Sequence, residues 1–169
     1  MFKKSLIAAV LAVAATGSFA QVYVQGGFGP ASIGAINCAG CDSTNPGNKF
    51  LLGYDVGGGF SVEGQSVSYG KVTGTGGADV KATGLGLGGA YAIPFSDKFS
   101  GRIGLSLNQN KLTQTPDQKS TGLGYGLGAA YKFNDTLSGI AEYDRSSAKD
   151  NTAVSHSLGL FTVGLRAKF

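Results

Sequence analysis

The stretch HSLGLFTVGLRAKF, residues 156–169, decides the fold. Phe161, Val163, Leu165, Ala167 and Phe169 fall on one side of an extended chain. Thr162, Gly164, Arg166 and Lys168 fall on the other. A period of two marks a β-strand with two unlike faces. The same alternation runs back through the chain. Ile103, Leu105 and Leu107 alternate with Arg102, Gly104, Ser106 and Asn108. Leu123, Tyr125, Leu127, Ala129, Tyr131 and Phe133 alternate with Gly122, Gly124, Gly126, Gly128, Ala130 and Lys132. Leu85, Leu87, Tyr91 and Ile93 oppose Gly84, Gly86, Gly88 and Ala90.

The alternation predicts eight strands, near 21–32, 49–56, 59–69, 80–93, 98–108, 120–133, 136–145 and 155–169. Tight turns join them at Gly57-Gly58, Pro94 to Asp97 and Asn134-Asp135. The other connections, near 33–48, 70–79, 109–119 and 146–154, are longer and polar. Short turns at one end and long loops at the other suit a transmembrane barrel.

Composition narrows the choice. The chain has 169 residues, enough for one domain, with 29 Gly, no Trp and 14% charged residues. That charge is well below the roughly 25% of a soluble domain. No apolar run reaches the roughly 20 residues of a membrane-spanning helix. Residues 1–20 have the form of a cleavable signal peptide: Lys3 and Lys4, an apolar stretch from Leu6 to Ala15, and small residues at Ser18 and Ala20. Removing them leaves 21–169 as a single barrel domain. Its slight basic excess is spread out, which predicts no nucleic-acid partner. Cys38 and Cys41 lie in a turn-rich polar stretch of an exported chain, the setting of a small disulfide loop. A zinc site needs further ligands, and His156 is the only histidine. No metal or cofactor is expected.

A soluble β-sandwich also alternates, with its apolar face inward. Two features favour the inside-out arrangement. The less apolar face is mostly Gly, Ala and Ser, which suits a crowded lumen better than a solvated surface. Aromatics also cluster beside the short turns, at Tyr54, Phe60, Tyr91, Phe95, Phe99, Tyr131, Phe133 and Phe169. Such clusters form the interfacial girdles of membrane barrels. Lipid leaves no backbone group unpaired, so the sheet must close, strand eight on strand one. The fold class is therefore all-β, an eight-stranded antiparallel up-and-down transmembrane β-barrel.

Phe50-Leu51-Leu52-Gly53-Tyr54, followed by Phe60-Ser61-Val62-Glu63-Gly64, resembles the second hairpin of small outer-membrane proteins. These are the transmembrane domain of outer-membrane protein A, outer-membrane protein X and the opacity-type surface antigens. Thr162, Gly164, Ala167 and Phe169 resemble the signal such proteins present to the outer-membrane assembly machinery. The resemblance implies an outer-membrane location among lipid and lipopolysaccharide. It also implies four loops outside the cell, where host or environmental surface molecules are open as partners. With the chain ending at Phe169, the cell-wall tethering of outer-membrane protein A is not carried over.

Eight strands leave a lumen that side chains can fill. The inward set includes Glu63, Arg102, Glu142, Arg166, Lys132 and Lys168. Glu63, Arg102, Glu142 and Arg166 are expected to form a central charge network, because unpaired buried charge is costly. The network is either a static plug or the gate of a narrow ion path. The loops carry mixed charges, Lys71 with Asp79, Lys111 with Asp117 and Lys149 with Asp150.

Two motifs suggest catalysis and fail on context. Gly84 to Gly89 formally matches a dinucleotide fingerprint, but no helix follows. His156 lies between Ser155 and Ser157, whose side chains point to the opposite face of a strand. Neither serine can pair with it as a nucleophile. A lipid A-modifying enzyme ranks third, after a non-enzymatic surface barrel and a narrow channel.

Overall fold

The computed structural model describes residues 21–34, 44–73, 79–113, 118–149 and 155–169. The signal segment and Cys38 and Cys41 lie outside the described residues. Eight strands follow in order: β1 Gln21–Ile33, β2 Thr44–Gly57, β3 Phe60–Thr73, β4 Asp79–Pro94, β5 Phe99–Thr113, β6 Gln118–Lys132, β7 Leu137–Lys149 and β8 Ser155–Lys168. Each pairs antiparallel with its neighbours, and β8 closes on β1.

The register sets the tilt. The paired residues Tyr23, Gly53, Glu63, Gly88, Ser106, Gly124, Ser146 and Leu158 lead round the barrel to Ile33, ten residues beyond the start. Such a stagger accompanies strands inclined by roughly 35–45° to the axis. The short connections are built as the sequence suggests. Gly57, Gly58 and Gly59 all have positive φ, which only glycine adopts freely in succession. Asn134 caps its turn by accepting bonds from the N–H groups of Thr136 and Leu137, at 2.9 and 2.7 Å.

The large apolar side chains point outward. Phe28 is 76% exposed, Leu123 71% and Phe169 70%. A sandwich core is thereby excluded, because nothing but lipid satisfies so wide an apolar belt. The aromatics by the short turns are all exposed, with Phe60 against Tyr91 and Tyr131 against Phe133 at centroid distances of 4.7 and 5.7 Å.

The strands run further toward the loop side than the alternation predicts. Residues 44–48, 70–73, 109–113, 118–119 and 146–149 are strand, not loop. Lys71, Lys111 and Lys149 therefore stand on strands rather than in loops. In these extensions the outward face is polar, so the membrane-type pattern fades while ladder pairing continues. A bulge at Gly70, with φ +77°, keeps β3 in step with β4.

Candidate functional site

The lumen has two storeys. In the lower one, toward the short turns, inward positions carry ions. Arg102 on β5 pairs through Nη2 with Glu63 on β3, and its Nη1 lies 3.4 Å from Glu142 on β7. Arg166 on β8 donates twice to Gln25 Oε1, at 2.9 and 2.7 Å, and lies 3.7 Å from Glu142. Glu63, Arg102, Glu142 and Arg166 thus meet inside the barrel.

Further members were not anticipated from sequence. Lys49 on β2 donates to Glu142 at 3.0 Å and to both oxygens of Asp144, at 2.8 and 2.9 Å. Gln25 donates to Glu142 at 2.8 Å, and the Tyr23 hydroxyl donates to Glu63. The Arg166 guanidinium stacks over the Tyr23 ring at 4.7 Å. Three cations thereby face three carboxylates, and the buried charge cancels. Asp144 was legible as the next inward residue after Glu142. Lys49 is the first residue of the expected second strand, 49–56, where the alternation has only begun.

Lys132 and Lys168 do not join this network. Lys132 is at the short-turn rim, 2.6 Å from the exposed Asp135. Lys168 reaches Asp55 at 3.4 Å. Both lie so near the strand ends that an inward position opens onto water.

The bare row on β6 makes the ionic storey possible. A Cβ on Gly126 would lie 2.7 Å from Asp144 Oδ1, and one on Gly128 2.6 Å from Glu142 Cγ. Glycine on one strand is thus the space that the neighbour's long polar chain fills. On the same principle Gly84 borders Asn110. Gly84, Gly86 and Gly88 all lie within strand β4, where the register pairs them with Asn110, Asn108 and Ser106.

The upper storey is apolar on one side. Ala31, Ile33, Val67, Tyr69, Ala82, Leu112, Ala148, Leu158 and Leu160 form one buried cluster. A polar column climbs beside it. Gln65 donates to Asn108 at 2.8 Å, and Asn110 donates to Ser146 at 3.0 Å. Glu63, Gln65, Arg102, Ser106 and Asp144 line a cavity of about 10 Å³, room for about one water.

The remaining sequence candidates have structural places. Ser157 accepts a bond from Arg145 Nε at 3.0 Å, while His156 lies part-buried opposite Ala148. On β8, Thr162 is buried, and a Cβ on Gly164 would collide with the carbonyl of Gly26. Phe169 donates its N–H to the Val22 carbonyl at 2.9 Å, with its ring outward. Among the described residues no cluster of His, Cys, Asp and Glu is disposed to hold a metal.

A closed antiparallel barrel with an apolar exterior, an aromatic belt and a filled polar interior is a transmembrane β-barrel. The chain belongs to the outer membrane protein beta-barrel domain family, whose model matches residues 5–169. It is therefore an outer-membrane protein. No curated protein sequence matches it significantly. Among solved structures it is similar to Neisserial surface protein A, with 20% identity, a TM-score of 0.67, and 89% of this chain and 97% of that one covered. It is also similar to the N-terminal barrel domain of Pseudomonas aeruginosa OprF, at 12% identity and TM-score 0.61, covering 89% and 97%. A third is Ail, the attachment invasion locus protein of Yersinia pestis, solved with the heparin analogue sucrose octasulfate. It has 14% identity and TM-score 0.56, covering 89% and 99%. At these identities the likeness is one of fold.

Proposed function

We propose that the protein is a non-enzymatic surface barrel that strengthens the outer membrane and presents its four outer connections for adhesion to host or environmental molecules. The observation that carries this reading is the filled lumen. Its charges neutralise one another, its inward side chains Gln25, Lys49, Glu63, Arg102 and Glu142 are buried, and a cavity among them is about 10 Å³. Such an interior supports a scaffold, and the variable chemistry is left to the loops. That similar folds include an attachment protein crystallised with a heparin analogue lends support to adhesion. The assembly machinery is the proposed reader of Thr162, Gly164 and Ala167 on the closing strand and of Phe169 directly after it.

The test has two parts. Purified protein in planar bilayers should give no steady conductance. Cells expressing it should bind immobilised glycans or host matrix better than cells lacking it, and protease trimming of the surface loops should abolish the gain. A regular conductance altered by Arg102→Ala would replace this reading with a narrow channel. Changed lipid A masses in expressing cells would replace it with an enzyme.

A further inference from the structure

Across β6, β7 and β8 the outer wall is hollow near the short turns. Ala129 on β6 is the direct partner of Ala141 on β7, and Tyr131 is the partner of Gly139. On the other side β8 sets Val163 beside Ala141 and Leu165 beside Gly139. The small residues of β7 thus stand between exposed Tyr131 and Phe133 and exposed Val163 and Leu165. Phe133 lays its ring over Gly139, where a Cβ would lie 2.9 Å from Cζ. With Phe99 from β5, these side chains line a trough of about 420 Å³.

The width of the trough selects what fills it. Its walls stand on β6 and β8, two strand spacings or about 10 Å apart between backbones. Once the wall side chains are in place, that leaves the width of one hydrocarbon chain. A membrane helix is roughly 10–12 Å across with its side chains, too wide to enter. A second barrel is convex and would rest on the walls. An empty trough would forfeit the dispersion contacts of its lining.

The rim selects what that chain carries. The Lys98 carbonyl accepts a bond from the Lys132 N–H at 2.8 Å, which fixes the β4–β5 turn beside the lower end of the trough. The turn is also held within itself. Phe99 N–H donates to Ser96 Oγ at 3.1 Å, and Phe95 and Ser96 N–H both donate to the Phe99 carbonyl at 3.0 Å. Asp97 and Lys98 are exposed at its tip, and neither forms an ion pair among the described residues. The neighbouring Lys132 and Asp135 pair with each other and add no net charge. From Lys132 to Ala129 is about 10 Å, at roughly 3.3 Å per residue. Hydrocarbon in the trough therefore continues a headgroup at this turn. An unspent ammonium next to an unspent carboxylate matches a headgroup that carries both signs, not a net anion.

We infer that the trough and the turn seat one zwitterionic glycerophospholipid from the leaflet on the short-turn side. One of its chains lies along Ala129 and Ala141, its phosphate is at Lys98 and its ammonium at Asp97. The inference is independent of what the loops bind.

The test folds the mature chain into vesicles of equal phosphatidylethanolamine and phosphatidylglycerol. The protein is then extracted in mild detergent, and retained lipid is counted by native mass spectrometry. Wild-type protein should keep one phosphatidylethanolamine, preferred over phosphatidylglycerol by roughly fivefold, the upper end for an exposed charge pair. Ala141→Phe, which fills the trough with a ring, should lose that lipid. Val62→Phe, on the exposed outer wall of β3, should keep it. Asp97→Asn/Lys98→Gln should keep a lipid and lose the preference. Heat-dependent gel mobility verifies that each variant folds, and the headgroup comparison on wild-type protein needs no variant. No retained lipid, or phosphatidylglycerol kept as well as phosphatidylethanolamine, would overturn the inference. So would a lipid that survives Ala141→Phe, or a preference that survives Asp97→Asn/Lys98→Gln. Barrel dimers that Ala141→Phe dissolves would also overturn it and would assign the trough to a second copy.

Discussion

From Phe161 to Leu165, β8 turns Phe161, Val163 and Leu165 outward and Thr162 inward. Between Ser157 and Leu160 the same strand turns Leu158 and Leu160 inward and Ser157 outward. β1 does likewise, with Phe28 outside and Ala31 and Ile33 inside, and β3 with Val62 outside and Val67 and Tyr69 inside. Below the Gly70 bulge of β3, the inside-outside parity of these three strands does not slip. What changes is the kind of residue each parity holds. The lower half is an inside-out membrane barrel, and the upper half is a water-type barrel with its own apolar core. What touches the outer wall, lipid below and headgroup or water above, selects which face is apolar.

The contrast predicts different weak points. The lower storey depends on charge cancellation, so the largest effect should come from Glu142→Ala. Glu142 is bonded to Lys49 and Gln25 and lies within 4 Å of Arg102 and Arg166. Its loss strands buried cations, at a cost of about 3–5 kcal/mol. Denaturant unfolding of the folded protein in detergent micelles measures it. A loss under 1 kcal/mol would mean that water enters the storey freely.

Leu160→Ala tests the upper storey. It removes a fully buried side chain and should cost about 3 kcal/mol by the same measurement. Salt should leave that loss unchanged, since no ion is involved. A negligible loss would indicate that the cluster is loosely packed.

A third substitution asks whether the lower storey can be built on the upper one's rule. Lys49→Met alone leaves Asp144 and Glu142 short of a cation. Lys49→Met with Asp144→Leu removes one charge of each sign and keeps the balance. The double variant should lie within about 1 kcal/mol of wild type, because a well-packed apolar replacement of a buried pair is often neutral. The single variant should be clearly less stable. Losses that simply add would show the two residues to be uncoupled.

The same contrast explains what the sequence revealed. Strand number, closure, the short turns and the aromatic belt were all legible, because lipid makes every second residue apolar from Leu85 to Leu87 and from Leu123 to Leu127. The strand extensions were not. Between Asn108 and Lys111 both faces are polar, and backbone pairing leaves no trace in side-chain type. The four expected lumen ions were visible as charges at inward positions of apolar strands. Lys49 was missed because its strand begins in that silent zone, at Thr44. The apolar upper core was hidden for a further reason. Leu158 and Leu160 lie on the face that the alternation beginning at Phe161 marks as polar.

The smallest predicted effect concerns an ion pair outside both storeys. Lys132 occupies an inward register position but belongs to the rim, where its ammonium lies 2.6 Å from the fully exposed Asp135. The hydrogen bond from Lys132, and then its charge, hold the Asp135 carboxyl below the ordinary aspartate range. A carboxyl whose folded pKa is lowered adds stability above the unfolded value of about 3.9. That contribution disappears as pH falls through the lower folded value. Wild type should therefore exceed Asp135→Asn slightly at neutral pH, and the two should converge in acid. High salt should shrink the neutral-pH gap, because an exposed pair is screened. A gap that persists in acid would belong instead to the Asn134 cap, whose bonds to Thr136 and Leu137 bracket the substituted residue and do not titrate. The buried ions of the lower storey should show no such salt sensitivity, so one titration in salt separates rim charge from lumen charge.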